Sequence, residues 1–227
     1  MHEELAAQAA GIGALAEPAR RALYLFTAAQ PDAVSREQAA EGVGIAVHSA
    51  KFHLDKLVDE GLLDVEFRRL SGRTGPGAGR PSKLYRRSDR EVSVSLPGRR
   101  YDVAGHVLAA GIDRASRQEI PVVAAVEAAA SEEGRRIARD DGAADGSEIE
   151  RTTQVLARNG YEPRIVDDAI VLANCPFDAL AKEHTELICG LNVALIDGVL
   201  EELGCSGMKA CLEPEPGMCC VKARKRT

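Results

Sequence analysis

The sequence predicts an α+β fold, mostly helical, with an N-terminal domain of residues 1–91, a linker of residues 92–100 and a C-terminal domain of residues 101–227. Apolar residues recur at helical spacing along most of the chain, with short alternating stretches between them. Basic residues concentrate between 68 and 100, where ten Lys and Arg accompany two acidic residues, although the net charge of the chain is -6. All six cysteines lie between 175 and 220. These asymmetries predict two domains with different partners.

The composition excludes several classes of protein. Hydrophobic residues make up 45% of the chain and charged residues 28%, which is typical of globular proteins. The chain has no apolar run of about 20 residues, and its start lacks the basic and apolar segments of a secretory signal. We therefore expect a cytoplasmic protein with no membrane partner. In a reducing cytosol, clustered thiols serve as metal ligands, redox groups or packing rather than as disulfides.

Three helices are predicted in the N-terminal domain. Pro18 suits the first position of the first helix. Ser35 and Gln38 form a capping box at the start of the second helix, and the glycines of residues 42–44 supply the turn after it. The third helix is expected over residues 46–60. The order helix, turn, helix is that of a helix-turn-helix unit.

A β-hairpin with a basic tip is predicted after the third helix. Residues 62–67 form one strand, residues 83–85 the returning strand, and residues 71–81 a Gly/Pro-rich loop. Three helices and such a hairpin form a winged helix-turn-helix, whose third helix fits a DNA major groove about 12 Å wide while the wing contacts phosphates. The alternative for the basic segment is a solvated charged loop.

Candidate DNA-binding residues lie on the outward face of the third helix and on the wing. Helical spacing turns Ala50, Leu54 and Leu57 inward and leaves the opposite face to solvent. The candidates on that face and on the wing are His48, Ser49, Lys51, Phe52, Lys56, Arg68, Arg69, Arg73, Arg80 and Lys83.

The N-terminal domain contains three distinctive segments, Arg20–Tyr24, Lys51–Leu63 and Gly79–Tyr85, the last of which carries Gly-Arg-Pro before Lys-Leu-Tyr. These three motifs resemble those of ArsR-type winged-helix transcriptional regulators. The resemblance implies a transcriptional regulator that binds double-stranded operator DNA. It also adds His53 to Ser49, Lys51 and Phe52 as a residue that faces the groove.

The C-terminal domain is predicted to be α/β. Its first two helices are rich in Ala and Val, so they form a natural dimer surface or, alternatively, close the core of one subunit. A strand hairpin is expected around residues 167–168, and the basic tail after Val221 is expected to fray. The predicted helices cover residues 101–115, 121–139, 147–159 and 179–203.

The cysteines are predicted to converge from separate elements. Cys175 follows a strand, Cys189 lies in a long helix, and Cys219 and Cys220 lie in a late strand or loop. Their spacing matches neither the paired cysteines of structural zinc sites nor the ferredoxin run. Widely spaced thiolates can still hold a [4Fe-4S] cluster, because each iron needs one outer ligand. Spacing alone predicts a metal or cluster site.

Four of the cysteines lie in three distinctive C-terminal segments, Asn174–Phe177, Glu186–Asn192 and Pro216–Val221. These three motifs resemble those of the sensor domain of the Suf-operon repressors, which are winged-helix regulators that bind an iron-sulfur cluster. The resemblance implies a homodimer that represses genes of iron-sulfur cluster assembly and whose operator affinity is set by a [4Fe-4S] cluster. It implies that Cys175, Cys189 and Cys219 are ligands. The candidates for the fourth ligand are Cys205 first, then Cys220, Cys211 and His184.

Two other functions stay open at this point. One is an ArsR-type DNA-binding sensor that uses zinc or a thiol redox switch in place of the cluster. The other is a cluster-carrying scaffold or enzyme whose winged helix binds proteins. No Ser/His/Asp or paired-carboxylate arrangement stands out in the sequence, so an enzyme is not predicted.

Overall fold

The chain divides after Val94 into two compact units, one of residues 1–94 and one of residues 95–227. The computed structural model describes residues 2–69, 81–142 and 145–226. Residues 95–100, which the sequence predicts to be part of the linker, group with the second unit. Within this segment, the carbonyl of Gly98 accepts a hydrogen bond from Asn174, and the backbone N–H of Arg100 donates to the carbonyl of Pro176.

The first unit contains helices and one antiparallel sheet. The strand order is β1-β3-β2, and Val65 of β2 lies opposite Tyr85 of β3. Its described elements are α1 (His2–Ala14), α2 (Pro18–Ala28), β1 (Val34–Ser35), α3 (Arg36–Val43), α4 (Val47–Asp59), β2 (Leu63–Arg68) and β3 (Ser82–Arg87). Helix α1 was not predicted, because its alanines and glycines give the sequence no clear apolar face.

Local signals explain where these helices begin and end. The Glu17 side chain accepts a hydrogen bond from the backbone N–H of Arg20 and caps α2. Ser35 and Gln38 form the predicted capping box of α3. Gly44 ends α3 in the left-handed region at φ 74°, which glycine adopts without a steric penalty. The chain then turns into α4, so α3 and α4 form the helix-turn-helix pair.

The second unit packs helices against a four-stranded antiparallel sheet of order β4-β5-β7-β6. Helices α6 and α9 approach each other closely because Gly134 and Gly198 have no Cβ. A Cβ on Gly134 would collide with the carbonyl oxygen of Leu195, and a Cβ on Gly198 would collide with that of Ser131. Its described elements are α5 (Tyr101–Gln118), α6 (Val122–Asp141), α7 (Glu148–Arg158), β4 (Pro163–Val166), β5 (Ala169–Leu172), α8 (Asp178–Glu183), α9 (Thr185–Glu202), β6 (Met208–Leu212) and β7 (Val221–Lys225).

Two predictions for the second unit were wrong. The helix expected over residues 179–203 is two helices, because the backbone leaves the helical region at His184 (φ -132°, ψ 53°). The tail expected to fray is strand β7, which pairs with both β5 and β6. Lys222 is buried there, and its ammonium lies 2.9 Å from a carboxylate oxygen of Glu215. That ion pair offsets the positive charge that suggested a solvated tail.

No helix within the described residues combines the length and the apolar character needed to cross a lipid bilayer.

Candidate functional site

Helix α4 presents an exposed face that carries aromatic and basic side chains. Ala50, Leu54 and Leu57 on its other face are fully buried, as the helical spacing predicted. Phe52 is 67% exposed, and Lys51 is also exposed. An aromatic ring held in solvent on a helix contributes little to the core, because most of its apolar surface remains in water. This face is therefore available for a partner.

The remaining predicted residues of α4 differ in their surroundings. His48 is exposed, whereas Ser49 and Lys56 are half-buried, and the Lys56 ammonium pairs with Glu60. The prediction that His53 faces the groove does not match its position. Its side chain is only 14% exposed, and its Nδ1 lies 3.6 Å from a carboxylate oxygen of Glu17 at the start of α2. His53 thus lies at the packed side of α4 and not on its exposed face.

Asp55 joins α4 to the base of the wing. Its carboxylate accepts hydrogen bonds from Lys51 Nζ at 3.0 Å, Lys83 Nζ at 2.6 Å and Tyr85 Oη at 2.9 Å. Partial burial opposes ionisation of Asp55, but these hydrogen bonds together outweigh it and lower the pKa of Asp55 to about 2. Burial and the bond to Asp55 raise the pKa of Tyr85. The contacts hold strand β3 in a fixed position beside the exposed helix face.

The described part of the wing adds basic groups to this surface. Arg68 and Arg69 are exposed, and Arg68 Nε lies 3.5 Å from a carboxylate oxygen of Glu66. Lys83 is tied to Asp55 and is only half-buried. Arg73 and Arg80, the other predicted wing residues, lie outside the described residues.

The pairing of β5 with β7 places two of the cysteine-bearing segments side by side. Ile170 lies opposite Ala223 in this antiparallel ladder. Extending the register by four residues places Asn174 opposite Cys219, and the backbone N–H of Cys219 donates to the carbonyl of Leu172 at 2.8 Å. Cys175 follows β5 and Cys219 precedes β7, so the two thiols meet at the same end of the sheet.

Cys175 lies near Cys219, and Cys189 lies near Cys220, because Cys219 shifts the pKa of Cys175 and Cys220 shifts that of Cys189. The neighbouring Cys219 lowers the pKa of Cys175, and the neighbouring Cys175, together with burial, raises that of Cys219. Burial, and next the neighbouring Cys220, raise the pKa of Cys189 to about 12. Electrostatic interactions of Cys175 with Cys189, and of Cys219 with Cys220, join one pair to the other. Loop, helix and pre-strand segments thus contribute to one thiol site.

Buried amide and hydroxyl groups support this site from one side. Asn192, one turn after Cys189 on α9, donates from Nδ2 to Cys219 Sγ at 3.4 Å. The hydroxyl of Tyr161 donates in turn to Asn192 Oδ1. Asn192 and Tyr161 are 1% and 3% exposed. A hydrogen bond donated to a sulfur stabilises negative charge on that sulfur.

The structure does not bring Cys205 to this site. Cys205 is buried against α7, where its Sγ lies 3.6 Å from Thr152 Oγ1 and 3.7 Å from the carbonyl oxygen of Glu148. Cys211 Sγ contacts Glu213, and His184 is exposed at the break between α8 and α9. The predicted ligands Cys175, Cys189 and Cys219 therefore lie with Cys220, while the first candidate for a fourth ligand lies elsewhere.

The described residues contain no group of three or more His, Cys, Asp or Glu arranged to hold one metal ion. A single zinc ion needs its ligand sulfurs at about 2.3 Å from one point.

Sequence reasoning missed the polar residues around the thiols. Asn192 falls on the buried face of α9, between Ile188, Leu191 and Leu195. A single amide residue among apolar residues at helical spacing was the only sequence signal that could have indicated Asn192. The hydrogen bonds that Arg99 makes to the thiol-bearing loop had no comparable signal, because they join residues more than 70 positions apart.

The first unit has the architecture of a DNA-binding regulator. It contains the helix-turn-helix pair α3 and α4, an exposed face on α4 and a basic hairpin beside that face. Residues 15–66 match a family described as a helix-turn-helix domain. The match confirms the predicted helix-turn-helix unit and supports a DNA-binding regulator. No match was found among curated proteins or among solved structures.

Proposed function

We propose that this chain is a homodimeric transcriptional repressor of iron-sulfur cluster assembly genes, whose affinity for its operator is set by a [4Fe-4S] cluster. The single observation that carries the proposal is the convergence of four thiols in a chain that also has a helix-turn-helix unit. Cys175, Cys189, Cys219 and Cys220 would hold the cluster. The DNA would lie against the exposed face of α4 and the wing.

The donor set fits such a cluster. Each iron of a [4Fe-4S] cluster takes one outer thiolate, and the four cysteines supply four from separate segments. When bound, the cluster supplies a redox-active centre whose oxidation or loss changes the charge and the cross-links at the thiols. Asn192 donates to Cys219, and the burial of Cys189 and Cys219 excludes water from that side of the site.

Cys220 replaces Cys205 as the proposed fourth ligand. Cys220 interacts with Cys189, and its carbonyl accepts a hydrogen bond from the backbone N–H of Glu213 at 2.7 Å. Cys205 is enclosed by Thr152 and the end of α9. A ligand role for Cys205 would require it to leave a buried position, at the cost of its packing.

Exposed apolar residues on α5 and α6 support the homodimer. Ile112 is 55% exposed, and Val122 and Val123 are 52% and 55% exposed. Exposed apolar patches mark interaction surfaces, and these three side chains lie on two consecutive helices. Winged-helix regulators read two-fold operator sequences as symmetric dimers, which places one recognition helix on each half-site.

Anaerobic reconstitution with iron and sulfide tests the cofactor. We expect about four iron and four acid-labile sulfide per chain for the wild type. Cys220→Ser is expected to bind less cluster or to lose it faster, whereas Cys205→Ser and Cys211→Ser retain it and serve as matched controls. A colourless protein with stoichiometric zinc and no acid-labile sulfide would contradict the proposal.

Operator binding tests the function. Duplexes selected by the cluster-loaded protein from a random-sequence library define the preferred DNA, and their affinity is then compared before and after oxidation of the protein. We expect tight, sequence-selective binding by the loaded dimer and weaker binding after oxidation. Equal affinity in both states would remove the cluster from the control of DNA binding.

The paired thiols favour a second candidate, a DNA-binding thiol switch. A disulfide between Cys175 and Cys219 would form by loss of two protons and two electrons to a peroxide or disulfide oxidant, and the Cys189–Cys220 pair could react in the same way. This candidate predicts that iron-free protein changes its DNA affinity reversibly with thiol oxidation. The mass of the chain would fall by about 2 Da, the mass of two hydrogen atoms, for each disulfide formed.

A further inference from the structure

The segment by which the chain enters the second unit is bonded to the thiol-bearing loop. Residues 98–100 all take part. The backbone N–H of Arg100 donates to the carbonyl of Pro176 at 3.1 Å, and Arg99 Nη1 donates to the carbonyl of Cys175 at 3.1 Å. The carbonyl of Gly98 accepts from Asn174 Nδ2 at 2.8 Å.

Asn174 is the centre of this contact. Its Nδ2 also donates to the carbonyl of Gly160, and its Oδ1 accepts from Arg99. The side chain is 7% exposed, so the loss of these partners would leave a buried amide unsatisfied. A Cβ on Gly98 would lie 3.0 Å from Gly160 Cα, so backbone packs directly on backbone at this point.

We propose that residues 98–100 transmit the occupancy of the thiol site to the DNA-binding unit. This inference rests on the proposed function, because it requires Cys175 to act as a ligand. When Cys175 is a ligand, the loop of residues 174–176 is held at its thiol as well as at its backbone. The carbonyls that bind Arg99 and Arg100 are then fixed, and so is the chain at the start of the second unit.

The physical basis is the ordering of two irregular segments by each other. Residues 95–100 and 173–177 lie outside helices and strands in the structure. The two segments are therefore held together by individual side-chain and backbone hydrogen bonds, and not by the regular backbone pairing of a β-sheet. Fixing one segment reduces the entropy that the other loses on docking, and this couples a site to a distant region without a change of fold. The covalent chain carries the effect onward through Val94.

Hydrogen exchange of the wild-type protein tests the inference directly. Exchange of a peptide that covers residues 95–101 is measured by mass spectrometry under anaerobic conditions, with the thiol site loaded by iron and sulfide or emptied by a chelator. We expect about three- to tenfold slower exchange in the loaded protein, the range implied by strengthening one ordinary hydrogen bond. Equal exchange in a fully loaded and an emptied protein would overturn the inference. It would mean that the hydrogen bonds of this segment protect it equally whether or not the thiol site is occupied.

Variants at Arg99 separate transmission from cluster binding. Arg99→Met keeps the aliphatic stem but removes the donors, so the loaded protein should keep its iron and sulfide while the exchange difference falls below about twofold. Arg99→Lys restores a donor and should recover part of the difference. Arg114→Met is the matched control, because Arg114 pairs with Glu132 at 2.7 Å and makes none of these contacts. A full exchange difference in Arg99→Met would sink the inference.

The outcome also separates this inference from the proposed function. If the wild type binds no cluster, both fail. If it binds the cluster and the exchange of residues 95–101 does not respond, only the transmission through residues 98–100 fails. Wild-type exchange decides the point even where an Arg99 variant does not fold.

Discussion

The two units hold their functional side chains by opposite means. In the first unit, ionised Asp55 joins Lys51 on α4 to Lys83 on β3, and all three side chains reach solvent, with exposures of 31%, 55% and 38%. In the second unit, the neutral amides of Asn174 and Asn192 join separate segments and are almost fully buried. Exposed ion pairs are weakened by salt and acid, whereas buried amides respond to the loss of a single donor.

This contrast matches what each surface is proposed to bind. A surface that binds a polyanion needs solvent-exposed cations. Asp55 holds the ammonium groups of Lys51 and Lys83 in place, although its negative charge offsets part of their positive charge. A thiol site that carries negative charge would be destabilised by another buried anion, and the neutral amides donate hydrogen bonds without adding one. The contrast predicts larger effects of substitution in the second unit than in the first.

The largest effect is expected for Asn192→Asp. The change keeps the shape but introduces a buried carboxylate beside Cys219, and burial of an unpaired charge costs several kcal/mol. We expect a large loss of unfolding free energy and of cluster content at neutral pH, measured by circular dichroism during chemical unfolding and by iron analysis. Burial raises the pKa of the introduced carboxyl, so stability should recover as the pH falls and the group becomes neutral.

Asn192→Leu is the companion variant. It adds no charge but leaves the buried Tyr161 hydroxyl without its acceptor, which costs about 1–3 kcal/mol at all pH values. If both variants show the same dependence on pH, charge is not the reason for the neutral amide at this position.

The next effect is expected for Phe52→Ala, and it concerns DNA affinity only. Because Phe52 is 67% exposed, its loss should change the unfolding free energy by less than about 0.5 kcal/mol. If Phe52 is an aromatic anchor of the interface, its truncation costs about 2 kcal/mol or more of binding free energy, so affinity for the selected duplex should fall roughly tenfold or more. Leu25→Ala, at 59% exposure on α2, is the control. Unchanged affinity in Phe52→Ala would exclude this face from the interface.

Asp55→Asn is expected to have a smaller effect, on the order of 1–2 kcal/mol for the first unit at neutral pH, because one third of the side chain is exposed. The folded pKa of Asp55 is about 2, below its ordinary 3.8. Its contribution is therefore present above about pH 4 and is lost as the pH falls toward 2. Hydrogen exchange of α4 and β3 measures it. Asp64→Asn, which removes an exposed pair with Arg86, should have almost no effect.

The sequence predicted the first unit more completely than the second, for a physical reason. The boundaries of α3 and α4 follow from neighbouring residues, such as the Ser35–Gln38 box and the turn at Gly44. Strand β7 forms by pairing with β5, some 50 residues earlier in the chain, so the residues next to it in sequence do not predict it. The same pairing brings Cys219 to Cys175, so the convergence of the thiols was predicted from their clustering and resemblance. The position of Cys205 against α7 was not predictable in this way, because any apolar pocket accommodates a buried thiol.

The smallest effect is expected for Arg69→Ala and appears only in the salt dependence of DNA binding. Arg69 is exposed on the wing, so its loss should leave stability unchanged. If Arg69 contacts one phosphate, the slope of log affinity against log salt concentration should fall by about one. Arg117→Ala, whose side chain is 75% exposed on α5 and paired with Asp113, is the control and should keep the full slope. An unchanged slope in Arg69→Ala would move the phosphate contacts off this part of the wing, and the basic charge of β2 would then be a solvated edge rather than part of the DNA interface.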